Sequence, residues 1–353
     1  MNTRKPIKVL MPDLPEYFEK CEFFFRELDL IGEKINHEEE SPLPINSLLY
    51  CNNLSHWEKR LSLSEYSSVS VIIATNEYYK KDKWMSLNKF ESIKCAFIQY
   101  LPNSQRTRFG STIKFVFQNL QFLRDKAFWG TIRSASWTYK DMRSLKVRVP
   151  IFNFPLGYTD RFVKELKNLG LLPENSNSLF ADKIYETNSR KVDVSFVGQK
   201  GRWYRRLMVD YFEKEAGART NKYGSFGGFT DLPETTNYAK SILASRFVVC
   251  PPGNVSSQSF RYYEAIALGA IPIVTEVSIQ DWNTHNYWPK NVAWKNDNFI
   301  DIWLSLKKMN SEALDELRIN MRTSILEQLQ TTKNLMRASV EGQNMWIRED
   351  SND

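Results

Sequence analysis

One stretch, SRFVVCPPGNVSSQSFRYYEAIALGAIPIVT from Ser245 to Thr275, restricts the fold more than any other part of the chain. Phe247 to Cys250 form an apolar run of the length of a buried parallel strand, and Pro251, Pro252, Gly253 and Asn254 then break any regular structure and turn the chain. Ser256 or Ser257 is placed to cap the helix that follows. Gly269 stands where a helix C-cap glycine belongs, and Ile271 to Val274 resume as a strand. Strand, turn, helix and strand in that order predict a βαβ unit, whose two strands run parallel. In open α/β sheets ligands collect at the carboxyl ends of the strands, where this turn lies.

The residues of the turn and helix have matching chemistry. A glycine turn lets backbone approach a phosphate closely, and a helix N-terminus offers N–H groups and positive dipole. Arg261 adds a planar fork for phosphate oxygens, and Glu264, one turn further along the same helix, is a carboxylate able to accept from ribose hydroxyls. Together they suit a sugar nucleotide. Taken alone, Arg261 and Glu264 read better as an ordinary i,i+3 surface ion pair; the four features in order shift the reading to a binding site.

The alternation continues upstream. Ile7 to Met11, Ser70 to Ala74 and Cys95 to Tyr100 read as short buried strands separated by polar, helix-compatible stretches, and Val147 to Phe152 as the last strand of a first α/β domain. The acidic, proline-bearing segment His37 to Pro44 reads as an exposed loop, and the spacing in Phe109 to Phe128 predicts an amphipathic helix. The interdomain passage falls near Pro155 to Asn177, with a helix over Asp160 to Leu169, which gives domains of 1–165 and 166–353. In the second domain Val192 to Val197 is the first strand and Gly198 to Gly201 its turn. Arg202, Arg205 and Arg206 follow, on or just before a helix, where they read either as a diphosphate clamp or as a solvated basic face. Tyr223 to Phe229 carries three glycines and reads as a loop. Tyr238 to Ala244 is helical, Val292 to Trp294 a last strand, and Asn298 to Gln343 helices.

A chain of 353 residues is long enough for two domains, each with its own core. Hydrophobic residues at 42% with charged residues at 25% place it among soluble globular proteins. The formal charge of +7 is dispersed along the chain rather than massed in a tail. That favours anionic partners in general, a nucleoside diphosphate, an acidic glycan or an anionic membrane surface, over nucleic acid. Cys21, Cys51, Cys95 and Cys250 are scattered without metal-ligand spacing and read as reduced thiols. No apolar segment follows the basic start MNTRKPIK, and no run reaches the ~20 apolar residues of a membrane helix. The expected location is therefore the cytoplasm, with peripheral contact at the inner face of the membrane.

The string from Ser245 through Ile273, with SRF, CPPGN, SFRYYEA and GAIPI, resembles the C-terminal signature of the exostosin-like glycosyltransferases. DVSFVG at Asp193 to Gly198, followed by Arg202, Arg205 and Arg206, looks like the start of that family's donor domain. NFPLGY at Asn153 to Tyr158 is similar to a segment that bacterial members carry just before it. The resemblance covers roughly residues 150 to 300. It implies a GT-B fold, two Rossmann-like α/β domains facing a cleft, with C-terminal helices crossing back to the first domain; the apolar periodicity of Leu314 to Met336 allows that crossing. It also implies inverting sugar transfer from a nucleotide-sugar, expected to be a UDP-sugar, to a glycan or glycolipid of a surface polymer such as capsule or lipopolysaccharide. The residues it assigns to the donor are Gly198, Arg202, Arg205, Arg206, Pro251, Gly253, Asn254, Ser259, Arg261 and Glu264.

Such a transfer needs a general base for the acceptor hydroxyl and an electrophilic patch for the departing diphosphate. No Asp-x-Asp stands at a strand end, so the patch falls to arginines and helix-end amides, and no metal or other cofactor is expected. For the base, Glu77 after the strand ending at Thr75 is the first choice and Asp13 after Met11 the second; either is also an ordinary loop carboxylate or helix cap. His37, His56 and His285 lack partners at metal or triad spacing. Two other classes compete. A dinucleotide-dependent oxidoreductase lacks its G-x-G-x-x-G after the first strand, and a non-catalytic anion- or nucleic-acid-binding protein would show steep salt dependence without preference for one nucleotide.

Overall fold

Two parallel sheets organise the chain in a computed structural model. The structure describes residues 5–11, 21–36, 38–51, 54–66, 68–73, 87–99, 148–176, 178–180, 190–198, 203–216, 219–222, 238–251, 259–274 and 299–343. Of these, the residues within Met1–Leu101, Thr138–Pro155 and Glu327–Asp353 form one compact unit, and those within Leu156–Leu326 a second. The helix expected over Phe109 to Phe128, the glycine loop at Tyr223 to Phe229 and the strand expected at Val292 to Trp294 lie outside the described residues.

The first unit holds β1 (Ile7–Met11), α1 (Glu22–Glu27), β2 (Leu30–Lys34), β3 (Ser47–Cys51), α2 (Glu58–Leu63), β4 (Val69–Ile73), β5 (Ile93–Ile98) and β6 (Ile151–Asn153). They build a six-stranded sheet in the order β2-β1-β3-β4-β5-β6, with every pairing parallel. β4 is buried at all five positions, the mark of a central parallel strand covered on both faces. One face packs Leu49, Cys51, Val69, Val71 and Ile98 against Trp57 and Leu61. On the other face the ring of Phe25 meets Tyr50 at 5.7 Å and Phe154 at 5.8 Å. β2 and β3 fall in stretches read from sequence only as polar and helix-compatible.

The acidic segment after β2 carries no regular structure, and Leu43 is its one buried residue among those described. It is held by Arg60 of α2, only 6% exposed, which donates to the carbonyls of Asn36 (2.8 Å), Ser41 (3.2 Å) and Pro42 (3.4 Å).

The second unit contains α3 (Asp160–Asn168), β7 (Val192–Gly198), α4 (Trp203–Ala216), β8 (Arg219–Lys222), α5 (Tyr238–Ala244), β9 (Ser245–Val249), α6 (Phe260–Ala267), β10 (Ile271–Ile273) and α7 (Phe299–Lys307). Its four strands run parallel in the order β10-β9-β7-β8, so the winding reverses between β7 and β9, as it does between β1 and β3 in the first sheet. The βαβ unit read from Ser245 to Thr275 is present as β9, α6 and β10. Gly269 ends α6 with φ 67°, and Ala270 N–H donates back to Ala265 at 2.9 Å. Ser259, in extended backbone at φ −145° and ψ 151°, is the N-cap of α6, later in the chain than the expected Ser256 or Ser257, which lie outside the described residues.

Arg190, just ahead of β7, donates to the carbonyls of Ser245 (2.7 Å), Leu268 (2.6 Å) and Ile242 (3.3 Å). A single cation thus serves the carboxyl ends of both α5 and α6, where helix dipoles favour positive charge.

The long helix α8 (Ser311–Val340) starts in the second unit and ends in the first. Its 30 residues extend for about 45 Å. Asn310 Oδ1 caps it by accepting from Ala313 N–H at 2.8 Å, and Gly342, φ 76°, closes it. In the second unit Arg322 donates to the Phe180 carbonyl. In the first, Lys333 and Arg337 pair with Asp29, and Lys94 donates to the Ser339 carbonyl. No helix among the described residues is long and apolar enough to cross a membrane. None of the four cysteines is in a disulfide, and all are buried.

Candidate functional site

The carboxyl end of β7, at the reversal between β7 and β9, carries the most constructed arrangement of the second unit. Arg261, in the first turn of α6, donates from Nε (3.1 Å) and Nη2 (2.7 Å) to the single carbonyl of Val197 and lays its guanidinium over the ring of Phe196, 4.9 Å from the centroid. Gly198 makes this approach possible in two ways. Its φ of 149° is a conformation that side-chain-bearing residues rarely adopt, and a Cβ there would lie 2.4 Å from Arg261 Nη2. One carbonyl satisfies two of the five guanidinium N–H groups, so the fork is oriented with donor capacity to spare.

Ser259 ends the extended segment ahead of α6 without capping it through its side chain. Its buried Oγ has no hydrogen-bond partner among the described residues. Pro251 follows β9 and is buried. An oriented guanidinium beside the positive end of a helix, at the switch point of a parallel sheet, suits an oxyanion group.

Glu264, one turn beyond Arg261, is 4% exposed. Both carboxylate oxygens have protein donors: Tyr238 O–H reaches Oε2 at 2.5 Å and Thr159 O–H reaches Oε1 at 3.4 Å. Thr159 is also the N-cap of α3, accepting from Phe162 N–H. Burial pushes the Glu264 carboxyl above its ordinary range, against the opposing effects of the Tyr238 hydrogen bond and the Arg261 charge. Glu165 of α3 accepts from the first-turn N–H of Ala239 in α5 at 2.9 Å, and burial raises it too. The Cys250 thiol, at the end of β9, is pushed up to about 12 by burial and stays protonated.

The structure therefore brings Gly198 and Arg261 together at the end of β7; Ser259 is the N-cap of the helix that carries Arg261, Glu264 lies within that helix, and Pro251 follows the adjoining strand. Arg205 and Arg206 stand in the first turn of α4, half-buried and exposed respectively. Arg202, Gly253, Asn254, Glu77, Asp13, His37 and His285 lie outside the described residues. Phe196, Thr159, Tyr238 and Glu165 are additions that sequence reasoning did not supply. Only Thr159 carried a local signal, as a threonine directly ahead of the helix opening at Asp160. Among the described residues no group of three or more His, Cys, Asp or Glu is placed to hold a metal ion. No protein-family model matches the chain, and no curated protein matches it.

Proposed function

We propose that the chain is a glycosyltransferase that moves a sugar from a nucleotide-sugar donor, a UDP-sugar in the first instance, to a glycan or glycolipid acceptor of a surface polysaccharide. The observation that carries the reading is the anchoring of Arg261 across the end of β7 beside Gly198, an oriented cation at a sheet switch point. In this reading the two parallel-sheet units are the two halves of a GT-B enzyme. The second binds the donor diphosphate through Arg261, the amino end of α6 and the arginines around α4. A carboxylate of the first unit, Glu77 before Asp13, takes the proton from the acceptor hydroxyl. The acceptor oxygen bonds to the anomeric carbon as the bond to the diphosphate breaks, which inverts that carbon, and Arg261 stabilises the charge that develops on the leaving group. No divalent metal is required.

The testing experiment is thermal unfolding of the purified chain with a panel of nucleoside mono- and diphosphates, with and without a chelator. A ligand that binds only the folded state raises the melting temperature. A chelator-insensitive rise with one diphosphate, lost in Arg261→Ala, is the expected result. No rise with any of them in a folded sample overturns the reading.

A further inference from the structure

On the donor-site reading above, an anion arrives at a cation that shares its helix with a buried carboxyl, Glu264. Glu264 and Arg261 are three residues apart on α6 and share a helix face. Two groups hydrogen-bond the Glu264 carboxyl, Tyr238 from α5 and Thr159 from the start of α3, and two more act on it through their charge or titration, Arg261 of its own helix and Cys250 at the end of β9. Thr159 does not ionise. Burial holds the Tyr238 hydroxyl well above its usual value, and the Cys250 thiol lies at about 12, so both stay neutral at ordinary pH. Glu264 is the member of this set that can change its charge.

We propose that Glu264 is the exchangeable counter-charge of Arg261: when a diphosphate settles on Arg261, the Glu264 carboxyl takes up a proton from solvent, so anion binding at this site is coupled to proton uptake. The Arg261 charge favours the ionised form of this carboxyl, against the burial that disfavours it. A phosphate anion beside that guanidinium draws on the same charge and repels the carboxylate through a poorly screened interior, and both effects favour the protonated form. The partners of Glu264 fit either state. Ionised, it accepts from Tyr238 and Thr159. Protonated at Oε1, it donates to Thr159 Oγ1, a hydroxyl oxygen able to accept, while Oε2 still accepts from Tyr238. The Thr159 oxygen already accepts from Phe162 N–H and has a second lone pair for this bond. Linkage makes the coupling reciprocal, and the site binds its anion more tightly as the pH falls. A carboxyl that merely tied α3, α5 and α6 together would affect stability and leave proton traffic unchanged.

The test is isothermal titration of the full chain with UDP and with inorganic pyrophosphate, in pairs of buffers of different ionisation enthalpy, comparing wild type, Glu264→Gln and Glu165→Gln. Glutamine keeps the shape, and its amide can accept from Tyr238 and donate to Thr159. Wild type and Glu165→Gln are expected to take up a fraction of a proton, up to one, more than Glu264→Gln on binding the same probe. Equal uptake in wild type and Glu264→Gln, with binding intact, overturns this proposal alone. Failure of both probes to bind overturns it together with the donor-site reading. Should Glu264→Gln not fold, the carboxyl-carbon NMR titration of Glu264 in the wild type decides: a midpoint that pyrophosphate raises supports the proposal, and an unmoved midpoint overturns it.

Discussion

The hydroxyl of Tyr238 donates to Glu264 Oε2 across 2.5 Å and makes a buried carboxylate tolerable. Tyr238→Phe removes this donor while keeping the ring that packs edge-on against Phe162 at 6.0 Å. The expected loss is about 1–3 kcal/mol, the penalty for a buried polar atom deprived of a partner. Because the bond favours the ionised form, the Glu264 carboxyl should rise further in the variant. Urea unfolding at neutral pH checks the first expectation, and the destabilisation should shrink in acid, where a protonated Glu264 needs the donor less.

Glu264 and Glu165 give the fold a pH dependence of definite sign. Both carboxyls are raised above the ordinary 4.5, so over the interval from that value up to their folded-state values the native state holds more protons than the unfolded chain. Stability from these two groups is complete below the ordinary carboxylate range and is lost as pH rises through the raised values. Half-burial makes Glu165 the smaller contributor, since solvent screens it. Unfolding free energies of wild type and a Glu165→Gln, Glu264→Gln double variant, measured in steps from acid to neutral pH, should show a wild-type decline that is flattened in the variant. A parallel pair of curves would count against the sign.

Much of the second unit was legible because its signals are local. The apolar runs of β7 and β9, the break after Cys250 and Gly269 behind α6 each depend on a few adjacent residues, and they located Gly198 and Arg261 correctly at strand and helix ends. β2 escaped because LIGEK lies at the sheet edge and buries only Leu30 fully, leaving almost no apolar pattern to read. β3 is a short apolar run, which periodicity alone does not separate from a turn of helix. The surroundings of Glu264 were beyond sequence reading for another reason. Thr159 and Tyr238 lie 105 and 26 residues away along the chain and meet it only through tertiary packing. The same holds for Arg190, whose carbonyl partners sit 52 to 78 residues downstream.

Arg190 yields a stability prediction independent of any ligand. Its guanidinium fork reaches three carbonyls at once, and its proton affinity is reduced, to about 10, chiefly by burial and then by the neighbouring Arg318. Lysine presents a single ammonium and cannot span the same acceptors. Arg190→Lys should therefore lose about 2–3 kcal/mol and Arg190→Met somewhat more, since methionine leaves all three carbonyls without this donor. Denaturant unfolding of both variants is the check, and a lysine variant as stable as wild type would refute the cap role.

Gly198→Ala tests the anchoring of Arg261 most directly. The added Cβ would stand 2.4 Å from Nη2 on a backbone at φ 149°, so the guanidinium must leave the Val197 carbonyl or β7 must shift at its end. The expected result is a loss of about 1–3 kcal/mol from backbone strain and the displaced contact. On the donor-site reading, nucleoside diphosphate affinity should also fall at least about tenfold, the equivalent of ~1.4 kcal/mol. Backbone strain and steric conflict separate in a double-mutant cycle with Arg261→Ala, which empties the space the new methyl needs. If the conflict dominates, the second substitution adds little or restores stability, a coupling of about 0.5–3 kcal/mol. Strictly additive losses would assign the whole effect to the backbone of residue 198 and would mean that Arg261 moves aside without penalty.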